Sequence, residues 1–482
     1  RAFPRAETVR LLAEALGLEG EARAGLIAAS HPELVTSTAP PPSPRRLQGL
    51  PVPPTRLVGR EHEVGAACAL LRRGDGMDGA RLLTLTGPGG VGKTRLALAV
   101  AAEVADAFAD GVAWVELAPL QDPALVANAV ARALGVGESG ERPLPEALAL
   151  AVAERHLLLV VDNCEHLLSA MPLLGELLAA GPRLSVLTTS RARLRLRGAR
   201  ELPVGPLAMP APEGPRATPL GGLAGVAAVR LFVERAAEVR PGFALTPENA
   251  VEVAAICRQV EGLPLALELA AARINVLPPA ALRTRLAQRL PLLTSGARDA
   301  PERQQTMRQA IAWSHDLLSE TEQSLFRRLA VFSGGCTLEA VTAVATCGAP
   351  GQDDEAAILD GLAALVDQSL VRLEESIARG AAEARFTMLE TIREYALERL
   401  VVSGEAEAVR RAHAAFYLAL AERGEPELTG PAQAEWLNRL EIEHDNLRGP
   451  RSPGRSQAGR LPPPPQGGLG ESRRPLCGWP RR

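Results

Sequence analysis

The feature that most constrains this chain is the segment Gly87–Thr94, which reads GPGGVGKT. It fits the phosphate-binding pattern G-x-x-x-x-G-K-[S/T] at every position. Residues 81–86 before it are apolar and β-branched and predict a buried strand, while the Ala- and Leu-rich residues 95–104 after it predict a helix. A glycine loop between a strand and a helix directs main-chain N–H groups and the positive helix end at phosphates. The pattern therefore predicts an α/β domain that binds a nucleotide.

The side chains and the main chain of this loop have separate predicted tasks. Lys93, the only lysine in the chain, is expected to place its ammonium on the β- and γ-phosphates. The hydroxyl of Thr94 is expected to ligate Mg²⁺. Main-chain groups at the other loop positions are expected to hold the phosphates, namely at Gly87, Gly89, Gly90, Val91 and Gly92. The expected ligands are therefore ATP or ADP together with Mg²⁺.

Residues 156–163 contain a second apolar run, which is followed by the acid Asp162 and then Asn163. A continuous apolar run is typical of a parallel strand covered on both faces, and ligands gather at the carboxyl edge of such a sheet. We therefore expect Asp162 to hold Mg²⁺ with Thr94; the alternative is a helix-capping aspartate, and both roles are compatible. Because Asn163 follows instead of a second acid, we expect slow hydrolysis unless Glu165 or a partner supplies a base.

The next strand, residues 184–190, leads into Arg191. An arginine at this edge can reach a γ-phosphate and distinguish ATP from ADP, although a solvated arginine-rich turn is the alternative. Lys93, Asp162 and Arg191 form the predicted catalytic set. Arg60, within the short sequence VGRE, is predicted to lie near the base or ribose, with a surface turn as the other interpretation.

The composition is that of a large soluble protein without an extended basic field. The chain has 482 residues, enough for roughly three domains of about 150 residues, and a net charge of −3. No apolar run approaches the ~20 residues of a membrane span. The six cysteines are scattered and contain no C-x-x-C pair. These features predict a cytoplasmic protein without a membrane partner, and because the chain begins with Arg1 we expect it to be a fragment.

Four segments, in this order and spacing, resemble the NB-ARC module of STAND-class signal-transducing ATPases: Gly87–Thr94, 157–162, 188–191 and 262–267. Two other segments, residues 159–167 and residues 388–396, are similar to segments of bacterial regulators of that class. The resemblance extends over residues 55–448. It implies that Pro264 faces the adenine side of the nucleotide and that ADP holds a closed form. Relatives often carry Met-His-Asp where this chain has Met388-Leu389-Glu390, and Leu389 cannot donate a hydrogen bond, so that ADP contact is not carried over.

The predicted fold class is an α/β parallel-sheet P-loop NTPase domain followed by all-helical and winged-helix domains. The N-terminal residues resemble the last helices of a Cro/repressor-type helix-turn-helix domain, with a small helical hairpin as the alternative. The C-terminal segment is either a natural tail or a frame-shift product. The predicted segments are a helix-turn-helix remnant (1–36), a Pro-rich linker (37–54), the NTPase or NB-ARC domain (55–222), a helical domain (223–300), a winged-helix domain (301–402), the start of helical repeats (403–448) and a disordered Pro/Gly/Arg tail (449–482).

Taken together, these features predict a nucleotide-switch transcriptional regulator with slow ATP hydrolysis. Self-association is expected in the ATP state, and DNA contact through the truncated N-terminal helix-turn-helix. The alternative is a stand-alone P-loop ATPase or kinase acting on a small molecule or a protein. A third possibility is a degraded gene product that only binds nucleotide. A GTPase is disfavoured because the chain contains no N-K-x-D sequence.

Overall fold

The computed structural model describes residues 50–72, 79–137, 142–211, 219–286, 289–294, 305–346, 355–378 and 381–448. The predicted helix-turn-helix remnant, most of the Pro-rich linker and the predicted disordered tail lie outside the described residues.

A five-stranded parallel sheet forms the first part of the described chain. Its strand order is β2-β3-β4-β1-β5. The strands are β1 (Leu82–Thr86), β2 (Val112–Glu116), β3 (Leu158–Asp162), β4 (Ser185–Ser190) and β5 (Ala199–Pro203). The flanking helices are α1 (Glu61–Arg72), α2 (Lys93–Val104), α3 (Val126–Leu134), α4 (Leu144–Val152) and α5 (Pro172–Ala180). Every residue of β1, β3 and β4 is buried, which explains their continuous apolar and β-branched sequences.

A helical region follows the sheet. Its helices are α6 (Leu220–Gly225), α7 (Ala227–Val239), α8 (Ala250–Gln259), α9 (Pro264–Ala271), α10 (Pro279–Arg285) and α11 (Arg289–Leu292). Proline opens α9, where its fixed φ and missing N–H cost nothing. Just before it, Gly262 has φ of 66° and accepts a hydrogen bond from the N–H of Leu207, and a Cβ there would lie 2.5 Å from the Leu207 oxygen. Only glycine permits this close packing onto the α/β part.

The next part has the helices and antiparallel sheet of a winged helix. The elements are α12 (Met307–His315), α13 (Glu320–Leu329), β6 (Cys336–Thr337), α14 (Leu338–Ala345), α15 (Glu355–Asp367), β7 (Arg372–Ala378), β8 (Ala381–Thr387) and α16 (Glu390–Val402). The sheet order is β6-β8-β7, with β7 and β8 as the wing hairpin. Ser319 and Glu322 form a capping box that starts α13, as the S-x-x-E spacing dictates.

Three further helices pack on the winged helix: α17 (Ala406–Gly424), α18 (Gln433–Ile442) and α19 (His444–Leu447). A buried ion pair between Arg385 and Glu443 ties them to β8, and the Tyr417 hydroxyl donates to the same carboxylate at 3.0 Å. One continuous apolar core extends from one face of the parallel sheet through the helical region to α17, and a second core covers the other face. None of the described helices is long and apolar enough to cross a lipid bilayer.

The α/β fold with its parallel sheet, the helical region and the winged helix confirm the predicted fold class. No pattern used above predicts β5, α14 or α15. The strand β5 pairs only with β1 at the sheet edge and has mostly exposed side chains, so it lacks the apolar run that marks the buried strands.

Candidate functional site

The phosphate loop connects β1 to α2 at the carboxyl edge of the parallel sheet. Gly87, Gly90 and Gly92 have φ values of 149°, 78° and 96°, a region that side chains with a Cβ rarely adopt. Val91 is fully buried and anchors the loop in the core. This main-chain path creates a concave row of amide groups at the start of α2, where the helix dipole favours an anion.

Lys93 projects from the first turn of α2 back over the loop. Its Nζ donates to the carbonyl oxygens of Gly87 and Pro88 at 2.6 and 3.1 Å. Burial lowers the pKa of the Lys93 ammonium from its ordinary 10.5 to about 8; Glu165 and Asp162 oppose this shift and Arg191 reinforces it. The two carboxylates therefore offset only part of the cost of burying this charge, and bound phosphates would offset more of it.

This pKa makes nucleotide binding proton-linked. Near pH 8 about half of the Lys93 side chains are neutral, and bound phosphates raise the pKa again. We therefore expect Lys93 to contribute an uptake of about half a proton per ADP at pH 8 and almost none at pH 6, measured as the difference from Lys93→Arg because ADP itself also exchanges protons. Calorimetric titrations in buffers of different ionisation enthalpy measure this uptake. Lys93→Arg is the matched control, because arginine stays charged; equal uptake in both proteins would contradict the assignment.

Thr94 and Asp162 meet where a metal ion would be needed. The Thr94 hydroxyl lies 2.9 and 3.2 Å from the two carboxylate oxygens of Asp162, and Thr189 also donates to this carboxylate. Burial raises the pKa of Asp162, while the two threonine hydrogen bonds oppose that rise. One hydroxyl and one carboxylate beside a phosphate site fit Mg²⁺, which typically takes few protein ligands and several from phosphates and water. The assignment of both residues as Mg²⁺ ligands stays a prediction.

Arg191 leaves the end of β4 and is 5% exposed. Its Nε lies 3.1 Å from a carboxylate oxygen of Glu165, which also accepts from the side chain of Asn163 at 3.1 Å. Burial raises the pKa of Glu165, but the charges of Arg191 and Lys93 outweigh it and hold the pKa below its ordinary value. The other oxygen, Oε2, is buried and has no hydrogen-bond partner among the described residues. The ion pair therefore keeps Glu165 ionised and lowers its basicity.

The helix α12 covers this arginine. Nη1 of Arg191 donates to the carbonyl of Ala310 and, at 2.6 Å, to the hydroxyl of Ser314. The main-chain oxygen of Arg191 accepts from Ser369, at the end of α15, at 2.8 Å. Sequence reasoning misses both serines because they lie 123 and 178 residues from Arg191 and belong to no recognisable local pattern.

The winged-helix part also packs directly on the phosphate loop. A small cavity of about 10 Å³ is lined by Pro88 and Gly89, by residues of α12, and by Leu370 and Leu389. A Cβ at Gly89 would lie 2.7 Å from Nη1 of Arg191 and 3.0 Å from the carbonyl oxygen of Ala310, so this position has room only for glycine. Leu389 therefore contributes apolar packing where relatives are expected to carry a histidine.

Arg60 and Pro264 lie close to the second half of the loop, near Val91 and Gly92. The guanidinium of Arg60 is buried and donates to the carbonyls of Val91 and Gly205 at 3.1 and 2.6 Å, so it braces the loop against the end of the sheet. Its predicted contact with the base or ribose stays a prediction. Pro264 starts α9, and its ring would lie 4.0 Å from a Cβ at Gly92. The next N–H, of Leu265, donates to the carbonyl of Gly90 at 3.1 Å.

Two family models match this chain: an AAA domain at residues 76–202 and a winged helix-turn-helix domain at residues 318–401. Rv0890c of Mycobacterium tuberculosis, named as an HTH-type transcriptional regulator, is 43% identical over 76% of this chain and 39% of its own length. Rv0894 of Mycobacterium tuberculosis is 38% identical over 74% of this chain and 84% of its own length. The regulatory protein AfsR of Streptomyces coelicolor is 28% identical over 86% of this chain and 41% of its own length.

The fold and the site define the class of this protein: a P-loop ATPase domain of the AAA type joined to a winged helix-turn-helix domain. The P-loop ATPase fold implies nucleotide binding, typically with Mg²⁺. The chain belongs to the same family as Rv0894, most of whose length it matches. It spans about two fifths of the length of Rv0890c and of AfsR.

Proposed function

We propose that this chain is the nucleotide-switch part of a transcriptional regulator of the STAND class. The proposal rests on the hydrogen bonds that Arg191 donates to α12. The arginine best placed to meet a γ-phosphate is held instead by Glu165, Ala310 and Ser314. ADP leaves these contacts intact, whereas a γ-phosphate competes for the same guanidinium.

The switch draws its free energy from the difference in nucleotide affinity between two states. In the closed state, Lys93 and the loop amides hold the β-phosphate, and the winged-helix part packs on Pro88 and Gly89. A γ-phosphate that recruits Arg191 removes two hydrogen bonds from α12, which together are worth about 2 kcal/mol or more, since the donor is charged. We propose that α12 then separates from the loop and that the exposed surface supports self-association.

We assign the DNA contact to the N-terminal segment and not to α15, which is the third helix within the matched winged-helix range 318–401. α15 has the sequence EAAILDGLAALVD, with three acids and no basic residue. Its exposed side chains include Glu355 and Asp360. A helix that enters the major groove needs arginine, lysine or amide side chains and avoids acids near phosphates. The names of Rv0890c and AfsR as regulators support a transcriptional role.

Hydrogen exchange of α12 tests the switch. We expect the amides of residues 307–315 to exchange faster with a non-hydrolysable ATP analogue and Mg²⁺ than with ADP and Mg²⁺, because α12 loses its contacts with Arg191. Ser314→Ala, which removes one of those hydrogen bonds, should raise exchange even with ADP, by about fivefold for a loss of about 1 kcal/mol. Identical α12 protection with both nucleotides bound would exclude this mechanism.

The second candidate is a stand-alone P-loop ATPase or kinase. The free Oε2 of Glu165 favours it, because a buried carboxylate oxygen without a partner can accept a proton from an attacking water. Turnover near the enzyme median of about 10 s⁻¹ would favour this candidate over the switch.

We also propose the predicted domain boundaries: the NTPase domain at 55–222, the helical domain at 223–300, the winged-helix domain at 301–402 and the start of helical repeats at 403–448.

A further inference from the structure

A second concave site lies on the helical region, away from the phosphate loop. It is an open groove of about 490 Å³ between α8, α10 and the start of α11. The lining residues are Ala255, Arg258, Gln259, Arg283, Thr284 and Arg289. This volume falls in the range of about 300–1,000 Å³ typical of small-molecule sites. The phosphate loop, in contrast, is held by α2, α9 and α12.

Three arginines line this groove. Arg283 pairs with Glu252 at 2.7 Å, and Arg289 lies 3.7 Å from Glu390. Arg258 donates to the carbonyl of Ala211 at 3.4 Å and has no carboxylate partner in the part of the chain that the structure describes. Each guanidinium has five N–H donors, so these contacts leave further donors on each side chain for a ligand in the groove.

Gln259 also lines the groove. Its main-chain oxygen accepts from Nε of Arg289 at 2.7 Å, and this contact holds the Arg289 side chain beside α8. Its side-chain Oε1 is buried and has no hydrogen-bond partner among the described residues.

We propose that the groove binds a phosphorylated small molecule. A dianionic phosphate matches three arginines better than a single carboxylate does, because it carries a second negative charge and more oxygens that can each accept from a guanidinium group. The bound phosphate competes with Glu390 for Arg289, and Glu390 directly follows Leu389, which packs beside Pro88 and Gly89.

Inorganic pyrophosphate, titrated by calorimetry at low salt, is the probe. The titrations use the Lys93→Ala protein, so that the phosphate loop no longer contributes. We expect one binding site, at least tenfold weaker binding when Arg258→Ala and Arg283→Ala are added, and tighter binding when Glu390→Gln is added, because the competing carboxylate is removed.

The matched control is Arg240→Ala, which removes an exposed positive charge from the end of α7 in the same region and should leave binding unchanged. If the double alanine variant does not fold, Arg258→Gln alone should still weaken binding severalfold. The proposal fails if the Lys93→Ala protein gives no heat with pyrophosphate, or if its affinity is the same with and without Arg258 and Arg283.

Discussion

Replacing Lys93 by alanine is expected to weaken ADP and ATP binding by at least a hundredfold while leaving the fold intact. The ammonium is the one cation placed on the loop itself, so its loss removes the charge-assisted hydrogen bonds to the phosphates. The side chain makes two hydrogen bonds, both to loop carbonyls, so its loss removes little of the packing. Calorimetric titration with Mg²⁺ and each nucleotide measures the effect.

Lys93→Arg is the matched comparison. Arginine keeps a positive charge but is bulkier and planar, so we expect intermediate binding without the proton uptake described above. Circular dichroism and urea unfolding without nucleotide establish that each variant is folded. If well-folded Lys93→Ala bound ADP as tightly as the unaltered chain, the nucleotide site would have to lie elsewhere.

Replacing Arg191 by alanine is expected to destabilise the nucleotide-free protein by about 3–5 kcal/mol. Arg191 and Glu165 form a buried ion pair, and removing the arginine leaves the buried carboxylate with Lys93 as its remaining nearby positive charge. The hydrogen bonds from Arg191 to Ala310 and Ser314 are lost as well. The midpoint of the urea transition at pH 7 should therefore fall, and the affinity difference between ATP and ADP should shrink.

A double-mutant cycle with Glu165→Gln separates the ion pair from the other contacts. Because the neutral amide needs no counter-charge, Arg191→Ala should cost less in the Glu165→Gln background, by about 1–3 kcal/mol. The pH dependence has a defined sign. The folded pKa of Glu165 is lowered, so the stability from the pair is present above the ordinary carboxyl pKa and is lost as the pH falls through the folded value. Additive effects of the two substitutions would exclude a coupled pair.

The phosphate-loop pattern and the buried strands were predictable because their signals are local. A glycine loop needs its residues at fixed spacing, and a strand covered on both faces needs an unbroken apolar run. These local signals already imply that Lys93, Thr94 and Asp162 meet at one edge of the sheet. In the structure the Thr94 hydroxyl lies 2.9 Å from the Asp162 carboxylate. The strand β5 was not predicted, because an exposed edge strand does not need a continuous apolar sequence.

The sequence by itself determined the α/β class, the loop and the acid at the end of β3, because each follows from neighbouring residues. Only the tertiary structure decided what Arg191 and Arg60 contact. Arg60 donates to a carbonyl 145 residues away, and Arg191 donates to a serine 123 residues away. Such partners depend on how separately folded elements pack against one another, and a guanidinium with five donors accepts many geometries, so no spacing in the chain specifies them.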